Sequence, residues 1–124
     1  MEPKKVLSIE DDAFLSSLVS GKLIESGFSV VTAGTGKDGL AKAKTERPQL
    51  ILLDIMLPDM GGFEILEHLK ADPETKDIPV IILSNLGQQE SISRAQALGV
   101  ADYLVKAQFT LDEIVAKVQK VLRE

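Results

Sequence analysis

Short apolar runs alternate with longer stretches of helical spacing along the whole chain. Five of these runs predict strands, because they are apolar, rich in β-branched residues and followed by turn or polar residues. They are Lys5–Ile9, Phe28–Ala33, Leu50–Leu53, Ile78–Leu83 and Ala101–Val105. The third and fourth runs lack polar alternation, which is typical of strands that are covered on both faces of a parallel sheet. We therefore expect the third strand at the centre of the sheet.

The spacing of apolar residues after each run predicts a helix. The first helix ends at Gly27, which suits the left-handed conformation of a helix C-cap. Its expected core-facing stripe consists of Phe14, Leu15, Leu18, Val19, Leu23 and Ile24. The later helices are predicted over Lys37–Glu46, around Phe63, Leu66 and Leu69, over Gln88–Leu98, and from Leu111 to Leu122. The fourth helix has the weakest apolar content, so it is either the most mobile element or simply a solvated helix.

This alternation predicts an α/β fold. Five strand–helix units favour a doubly wound five-stranded parallel sheet with helices on both faces, a three-layer sandwich. Ligands of such sheets bind outside the carboxyl ends of the strands, where the strand order reverses. Any chemistry is therefore expected at that edge.

Composition narrows the class of protein. A length of 124 residues is the usual size of one domain, so residues 1–124 are expected to form one domain without an output domain. The net charge of −5 argues against direct binding to nucleic acid or to an anionic membrane. The absence of cysteine excludes disulfides and thiolate chemistry. No apolar run approaches the roughly 20 residues of a membrane span, and we expect a cytoplasmic protein.

Acidic residues follow two of the predicted strands. Glu10, Asp11 and Asp12 follow the first strand, and Asp54 follows the third. Taken singly, Asp12 is also explained as a helix N-cap and Asp54 as a turn residue. Parallel strands present their carboxyl ends on one rim, however, and two carboxylates about 4 Å apart repel by about 4 kcal/mol at an effective dielectric constant near 20. A divalent cation relieves this repulsion, and an oxygen-only ligand set favours Mg²⁺.

A hydroxyl and an ammonium group follow the fourth and fifth strands at the same rim. Ser84 stands at the end of the fourth strand and Lys106 at the end of the fifth. A metal ion, an ammonium group and a hydroxyl around one carboxylate would allow that carboxylate to attack phosphorus and form an acyl phosphate. The sequence predicts Asp54 as this nucleophile.

Four segments carry a family resemblance that extends over essentially the whole chain. In order along the chain they are VLSIEDD, LILLDIMLPDMGGFEIL, IPVIILSN and GVADYLVKA. Together they resemble the receiver domain of the response regulators of two-component systems. The resemblance implies a flavodoxin-like fold with the strand order 2-1-3-4-5, as in the chemotaxis receiver.

The resemblance implies a role for each rim residue. Asp54 would be the phosphoacceptor, Ser84 would contact the phosphoryl group and Lys106 would pair with its oxygens. Tyr103 matches the aromatic switch position, whose ring turns inward when Ser84 is drawn toward the phosphate. The implied magnesium ligands are the Asp11 and Asp54 carboxylates, Glu10 through a water molecule, and the backbone carbonyl of Met56.

The implied function is a phosphorylation-dependent switch in a phosphorelay. A sensor histidine kinase, a phosphotransfer protein or a small phosphodonor would supply the phosphoryl group, and a downstream effector protein would respond to it. The face formed by the fourth helix, fifth strand and final helix would bind that effector or a second copy of the chain. Such a domain catalyses its own phosphorylation and dephosphorylation without turning over a separate substrate. The apolar residues Met56 and Leu86, at positions that influence attack by water in this family, predict slow dephosphorylation.

Three positions depart from the family pattern. Ala107 replaces the usual proline after Lys106, Asn85 replaces a small residue, and Gly61 replaces an aspartate that would cap the third helix. The peptide bond between Lys106 and Ala107 is therefore expected to be trans. A receiver-like scaffold that does not switch remains an alternative. A magnesium-dependent aspartyl phosphatase is less favoured, because such an enzyme has a second aspartate two residues after the first, where this chain has Met56. A flavin mononucleotide carrier is also less favoured, because its phosphate would meet the three acids that follow the first strand.

Overall fold

The computed structural model describes residues 3–85 and 88–123. Its strands are β1 (Lys5–Ile9), β2 (Ser29–Ala33), β3 (Leu50–Leu53), β4 (Val80–Ser84) and β5 (Asp102–Val105). Its helices are α1 (Ala13–Glu25), α2 (Gly36–Thr45), α3 (Gly62–Ala71), α4 (Gln89–Ala97) and α5 (Leu111–Arg123), and Lys106–Gln108 form a short 3₁₀ turn. These elements follow the predicted alternation of strands and helices.

All strand pairs are parallel, and the sheet has the order β2-β1-β3-β4-β5. The predicted fold class and the central place of β3 are therefore confirmed. Strand residues alternate between two apolar layers. One layer packs the sheet against α2, α3 and α4, through side chains such as Ile65 and Ala95, and the other packs it against α1 and α5, through side chains such as Leu23 and Val118.

Glycine conformations mark two predicted helix ends. Gly27 follows α1 with φ 96° and Gly99 follows α4 with φ 83°. An L-residue with a side chain rarely adopts this left-handed region, whereas glycine enters it without steric cost. Both helices therefore stop where the sequence predicts.

Two local predictions were wrong. The strand β4 was expected to begin at Ile78, but it begins at Val80. Pro79 lacks the N–H that the hydrogen-bond ladder requires. The predicted stripe of α1 is not wholly core-facing, because Phe14 and Ile24 are 75% and 59% exposed. At about 100° per residue the six predicted positions span too wide an arc for one buried face, and Val19 and Leu23 occupy its centre.

No helix within residues 3–85 and 88–123 is long and apolar enough to cross a membrane.

Candidate functional site

Strand register brings the predicted site residues to one rim of the sheet. Ile9 pairs with Leu53, so Glu10 and Asp54 occupy the next positions on neighbouring strands. The Asp54 amide donates to the Ile9 carbonyl at 3.0 Å, which continues the ladder by one step. The two acidic residues are thus held by backbone hydrogen bonding, and their predicted proximity is confirmed.

Three carboxylates converge at this rim. Glu10, Asp11 and Asp54 each offer one oxygen, and these three oxygens lie within 4.8 Å of one another. Glu10 and Asp54 are buried, whereas Asp11 is exposed. Hard oxygen donors at this spacing, with one side open to solvent, fit a Mg²⁺ ion that keeps several water ligands.

Asp12 is not part of this cluster. Its side chain accepts hydrogen bonds from the amides of Phe14 and Leu15, at 3.0 and 3.1 Å, and caps the N-terminus of α1. Its own amide donates to Glu10 Oε2 at 3.1 Å. The capping alternative for Asp12 is therefore the observed one, and the residue also helps to orient Glu10.

Lys106 contacts two of the three acids. Its Nζ lies 2.7 Å from Glu10 Oε1 and 3.0 Å from Asp54 Oδ2, and its side chain is only 15% exposed. Lys106 begins the 3₁₀ turn, and its bond to Ala107 is trans, as expected. The sequence predicted Lys106 on the rim but not its ion pair with Glu10.

Burial and charge shift the pKa values of this pair. Burial raises the pKa of Glu10, the nearby Asp54 charge raises it further, and hydrogen bonds from Lys106 and the Asp12 amide oppose the rise. Burial alone would lower the pKa of Lys106, but its hydrogen bonds to both carboxylates outweigh that effect and raise it. Lys106 is therefore firmly protonated, and its positive charge partly compensates two buried acids.

The Asp54 carboxylate is oriented from both sides. Its Oδ1 accepts a hydrogen bond from the Met56 amide at 2.9 Å, while Oδ2 accepts from Lys106. The side chain is 6% exposed within the acidic cluster. This geometry holds a carboxylate oxygen beside an ammonium group, an arrangement that could bind an anionic group.

The loop after Asp54 is closed on itself. Met56 and Gly61 form an isolated bridge, and the Gly62 amide donates to the Ile55 carbonyl at 2.8 Å. A Cβ atom at Gly62 would lie 2.3 Å from the Ile55 Cα, so only glycine fits this approach. Gly61 is the N-cap of α3 and makes no side-chain capping bond, consistent with the expected weak cap.

One residue of this loop was missed by the sequence analysis. The Asp59 carboxylate accepts hydrogen bonds from the amides of Gly36 and Lys37 at 2.8 and 3.0 Å, at the start of α2. An aspartate after Pro58 suggests a turn, and nothing local to it indicates a partner more than twenty residues earlier.

Ser84 and Tyr103 lie on the β4 and β5 side of the rim. Ser84 is completely buried and pairs in register with Val105, so it lies next to the strand position that precedes Lys106. Tyr103 is half-buried and packs against the apolar layer that contains α4. Burial raises the pKa of its hydroxyl, and the Asp54 charge adds to the rise. Asn85 is exposed, and the prediction for Leu86 falls outside the described residues.

Comparisons with known proteins identify the family of this chain. A family model described as the response regulator receiver domain matches residues 6–119. The transcriptional regulator RpaA of Synechocystis sp., named as a DNA-binding dual master regulator, is 40% identical over 96% of this chain and 49% of its own length. The phosphate regulon transcriptional regulatory protein PhoB of Escherichia coli is 35% identical over 97% of this chain and 52% of its own length. The chain thus spans about half the length of these curated relatives.

A solved structure gives the same result for the fold. The chemotaxis protein CheY4 of Vibrio cholerae superposes with a TM-score of 0.89 and 30% identity, covering 96% of this chain and 98% of that chain. Receiver domains typically bind Mg²⁺ at an acidic pocket, and this chain has an acidic cluster at the corresponding rim. By its family match, its relatives and its fold, the chain belongs to the response regulator receiver domain family.

Proposed function

We propose that this chain is a phosphorylation-dependent switch in which Asp54 accepts a phosphoryl group. The observation that carries the proposal is the position of the Asp54 carboxylate, 3.0 Å from Lys106 Nζ and inside a cluster of three acids. Helix capping and turn formation, the alternatives for single acidic residues, do not explain why three acids lie around one lysine. Their mutual repulsion lowers the stability of the fold.

The proposed reaction is a displacement at phosphorus. An Asp54 oxygen forms a bond to phosphorus while the bond from phosphorus to the donor breaks. That bond is P–N for a histidine kinase or phosphotransfer protein and P–O for a small phosphodonor, and its electron pair stays on the donor nitrogen or oxygen, which departs as the leaving group. Lys106 then moves its hydrogen bonds from the carboxylates to the phosphoryl oxygens. The buried Ser84 hydroxyl lies on the same side and donates to the same group.

The metal ligands in this proposal are Glu10, Asp11, Asp54 and the Met56 carbonyl. When bound there, Mg²⁺ would neutralise negative charge on the approaching phosphoryl oxygens. The exposed Asp11 leaves that side of the cluster accessible to a donor. Phe14, exposed in the first turn of α1, offers a protein donor an apolar contact beside these acids.

The proposed switch follows from added charge. Phosphorylation replaces the Asp54 carboxylate with an acyl phosphate that carries about −1.5 to −2 charges, by analogy with other phosphorylated residues, so negative charge increases at a rim that Lys106 now only partly compensates. Ser84 and Tyr103 would reorganise in response, and α4 would move with them.

The contribution of α4 to the core is small, since Ala95 is its one fully buried residue among those described. Its Arg94 guanidinium lies 4.2 Å from the ring centroid of Phe63 in α3. A shift from 1:99 to 99:1 needs about 5.5 kcal/mol, within reach of several charge-assisted hydrogen bonds.

The output would leave through the face of α4, β5 and α5, toward a downstream effector or a second copy of the chain. A cytoplasmic location, typical of response regulators, belongs to the same proposal.

Amide NMR with beryllofluoride, which imitates a phosphoryl group, tests the proposed switch. In the presence of Mg²⁺ we expect shifts at Asp54, Ser84, Tyr103 and throughout α4, because the added charge at the rim moves the elements that face it. The same reagents added to Asp54→Asn, which lacks the anionic carboxylate that holds beryllofluoride, provide the control. Shifts confined to the residues around Asp54 would contradict the switch and favour the scaffold alternative.

The acyl phosphate is expected to persist long enough to outlast an encounter with a partner. Met56 is exposed at the mouth of the site and its apolar side chain cannot orient a water molecule for attack. Phosphate release from the purified, phosphorylated protein measures the lifetime. Met56→Asn, which can hydrogen-bond to a water, should shorten it. Complete loss from the unmodified protein within seconds would contradict this prediction.

A further inference from the structure

Asp59 connects the loop of the candidate site to a different helix. Its two carboxylate oxygens accept hydrogen bonds from the amides of Gly36 and Lys37, one oxygen for each amide. These amides belong to the first turn of α2, where backbone donors lack partners within the helix. The contact therefore joins the loop between β3 and α3 to the N-terminus of α2.

The helix has its own N-cap residue, and the Asp59 contact adds to that cap. Thr35 Oγ1 accepts a hydrogen bond from the Asp38 amide at 3.1 Å, the usual N-cap contact. Thr35 and Asp59 thus satisfy different amides of the same helical turn. Of these two residues, Asp59 is the one that belongs to the loop, so its hydrogen bonds also attach the loop to the helix.

The loop and the helix approach each other closely at this point. A Cβ atom at Gly36 would lie 2.7 Å from Ile65 Cδ1 and 3.1 Å from Met60 Cβ. Glycine therefore allows the start of α2 to lie against the loop residue that follows Asp59. The close packing limits the positions that the loop can adopt.

The other end of this loop belongs to the candidate site. The Met56 amide donates to Asp54 Oδ1, and Met56 also forms the bridge to Gly61. Two residues separate Asp59 from Met56 in this closed loop, so the two positions are closely linked along the chain. The hydrogen bonds from Gly36 and Lys37 also lower the pKa of Asp59, which keeps the carboxylate ionised.

We propose that Asp59 is a positioning residue: by fixing the loop to α2, it sets the place of the Met56 peptide group relative to Asp54. Its consequence for Mg²⁺ rests on the proposed function, in which the Met56 carbonyl is a metal ligand. The effect of Asp59 on the Met56 amide does not depend on the proposed function.

Hydrogen exchange tests the positioning in the metal-free protein. Asp59→Ala should accelerate exchange of the Met56 amide, because the loop loses its anchor and the bond to Asp54 Oδ1 opens more often. Thr35→Ala is the matched control, since it removes a hydrogen bond from the same helix turn and leaves the loop contact intact. Equal exchange at Met56 in both variants would overturn the proposal.

A titration with MgCl₂, followed by amide NMR, tests the consequence for the metal. Asp59→Ala should raise the Kd for Mg²⁺ about tenfold, at the low end of the effect of removing an outer-shell partner. Asp59→Asn retains one acceptor oxygen and should lie between Asp59→Ala and the unmodified protein, while Thr35→Ala should bind Mg²⁺ as the unmodified protein does. An unchanged Kd in Asp59→Ala would overturn the effect on the metal site. Failure of the unmodified protein to bind Mg²⁺ would instead count against the proposed function, and hydrogen exchange at Met56 would still decide the role of Asp59.

Discussion

Acetyl phosphate and Mg²⁺ will add one phosphoryl group to this protein and none to the Asp54→Ala variant. Alanine has no oxygen that can form the acyl phosphate, whereas the Asp54 carboxylate is held by Lys106 at one oxygen and by the Met56 amide at the other. Intact-mass spectrometry measures the gain directly. The expected effect of the substitution is complete loss of uptake.

Asp112→Ala is a matched control for this experiment. Asp112 is an exposed acid at the start of α5 and pairs with Lys22 rather than with Lys106. Its substitution should leave uptake unchanged. Uptake that persists in Asp54→Ala would refute the assignment of the phosphoacceptor. Repeated turnover of a simple phosphomonoester by the unmodified protein would favour the aspartyl phosphatase alternative.

Lys106→Ala should lower the free energy of unfolding by about 3 kcal/mol in buffer that contains a chelator. The substitution removes the ammonium group from between Glu10 and Asp54, whose side chains are each 6% exposed, and leaves two buried acids without compensation. Urea denaturation, monitored by circular dichroism, measures the change. Adding Mg²⁺ should recover more stability in the variant than in the unmodified protein, because the divalent charge replaces that of the lysine.

Lys22→Ala separates this effect from the loss of any lysine ion pair. Lys22 contacts Asp112 at 3.1 Å, but both side chains are well exposed to solvent. Exposed pairs contribute only about 0–1 kcal/mol, so this variant should unfold almost as the unmodified protein does. Similar losses in the two lysine variants would show that burial of the acids does not dominate the energetics of the rim.

The fold was predictable from local pattern because the strands are short, apolar and separated by helical spacing. β1 and β3 have the predicted limits, since the pattern changes abruptly at Glu10 and Asp54. The exposed face of α1 was less predictable. Phe14 is apolar but lies beside the acidic rim, and periodicity alone does not distinguish a core residue from an exposed apolar one.

The candidate site was predictable only as far as it depends on strand ends. Parallel register places Glu10 beside Asp54, and a reader of the sequence can infer this from the alternation of elements. The ion pair between Glu10 and Lys106 depends on the path of a long side chain across the rim. The contact between Asp59 and α2 depends on how closely the loop between β3 and α3 approaches the start of that helix, which no local pattern encodes.

The sheet order gives the ion pair of Lys106 with Glu10 a mechanical meaning. Lys106 follows the edge strand β5 and Glu10 follows β1, so this one side chain bridges over the ends of β3 and β4. In the proposed reaction the phosphoryl group on Asp54 competes with Glu10 for the same ammonium group. Phosphorylation would then replace the contact between Lys106 and Glu10 with a contact between Lys106 and the phosphoryl group. After the chemical step Lys106 would tie the end of β5 to β3 alone and no longer to β1, which removes one constraint on the outer strand that carries Tyr103.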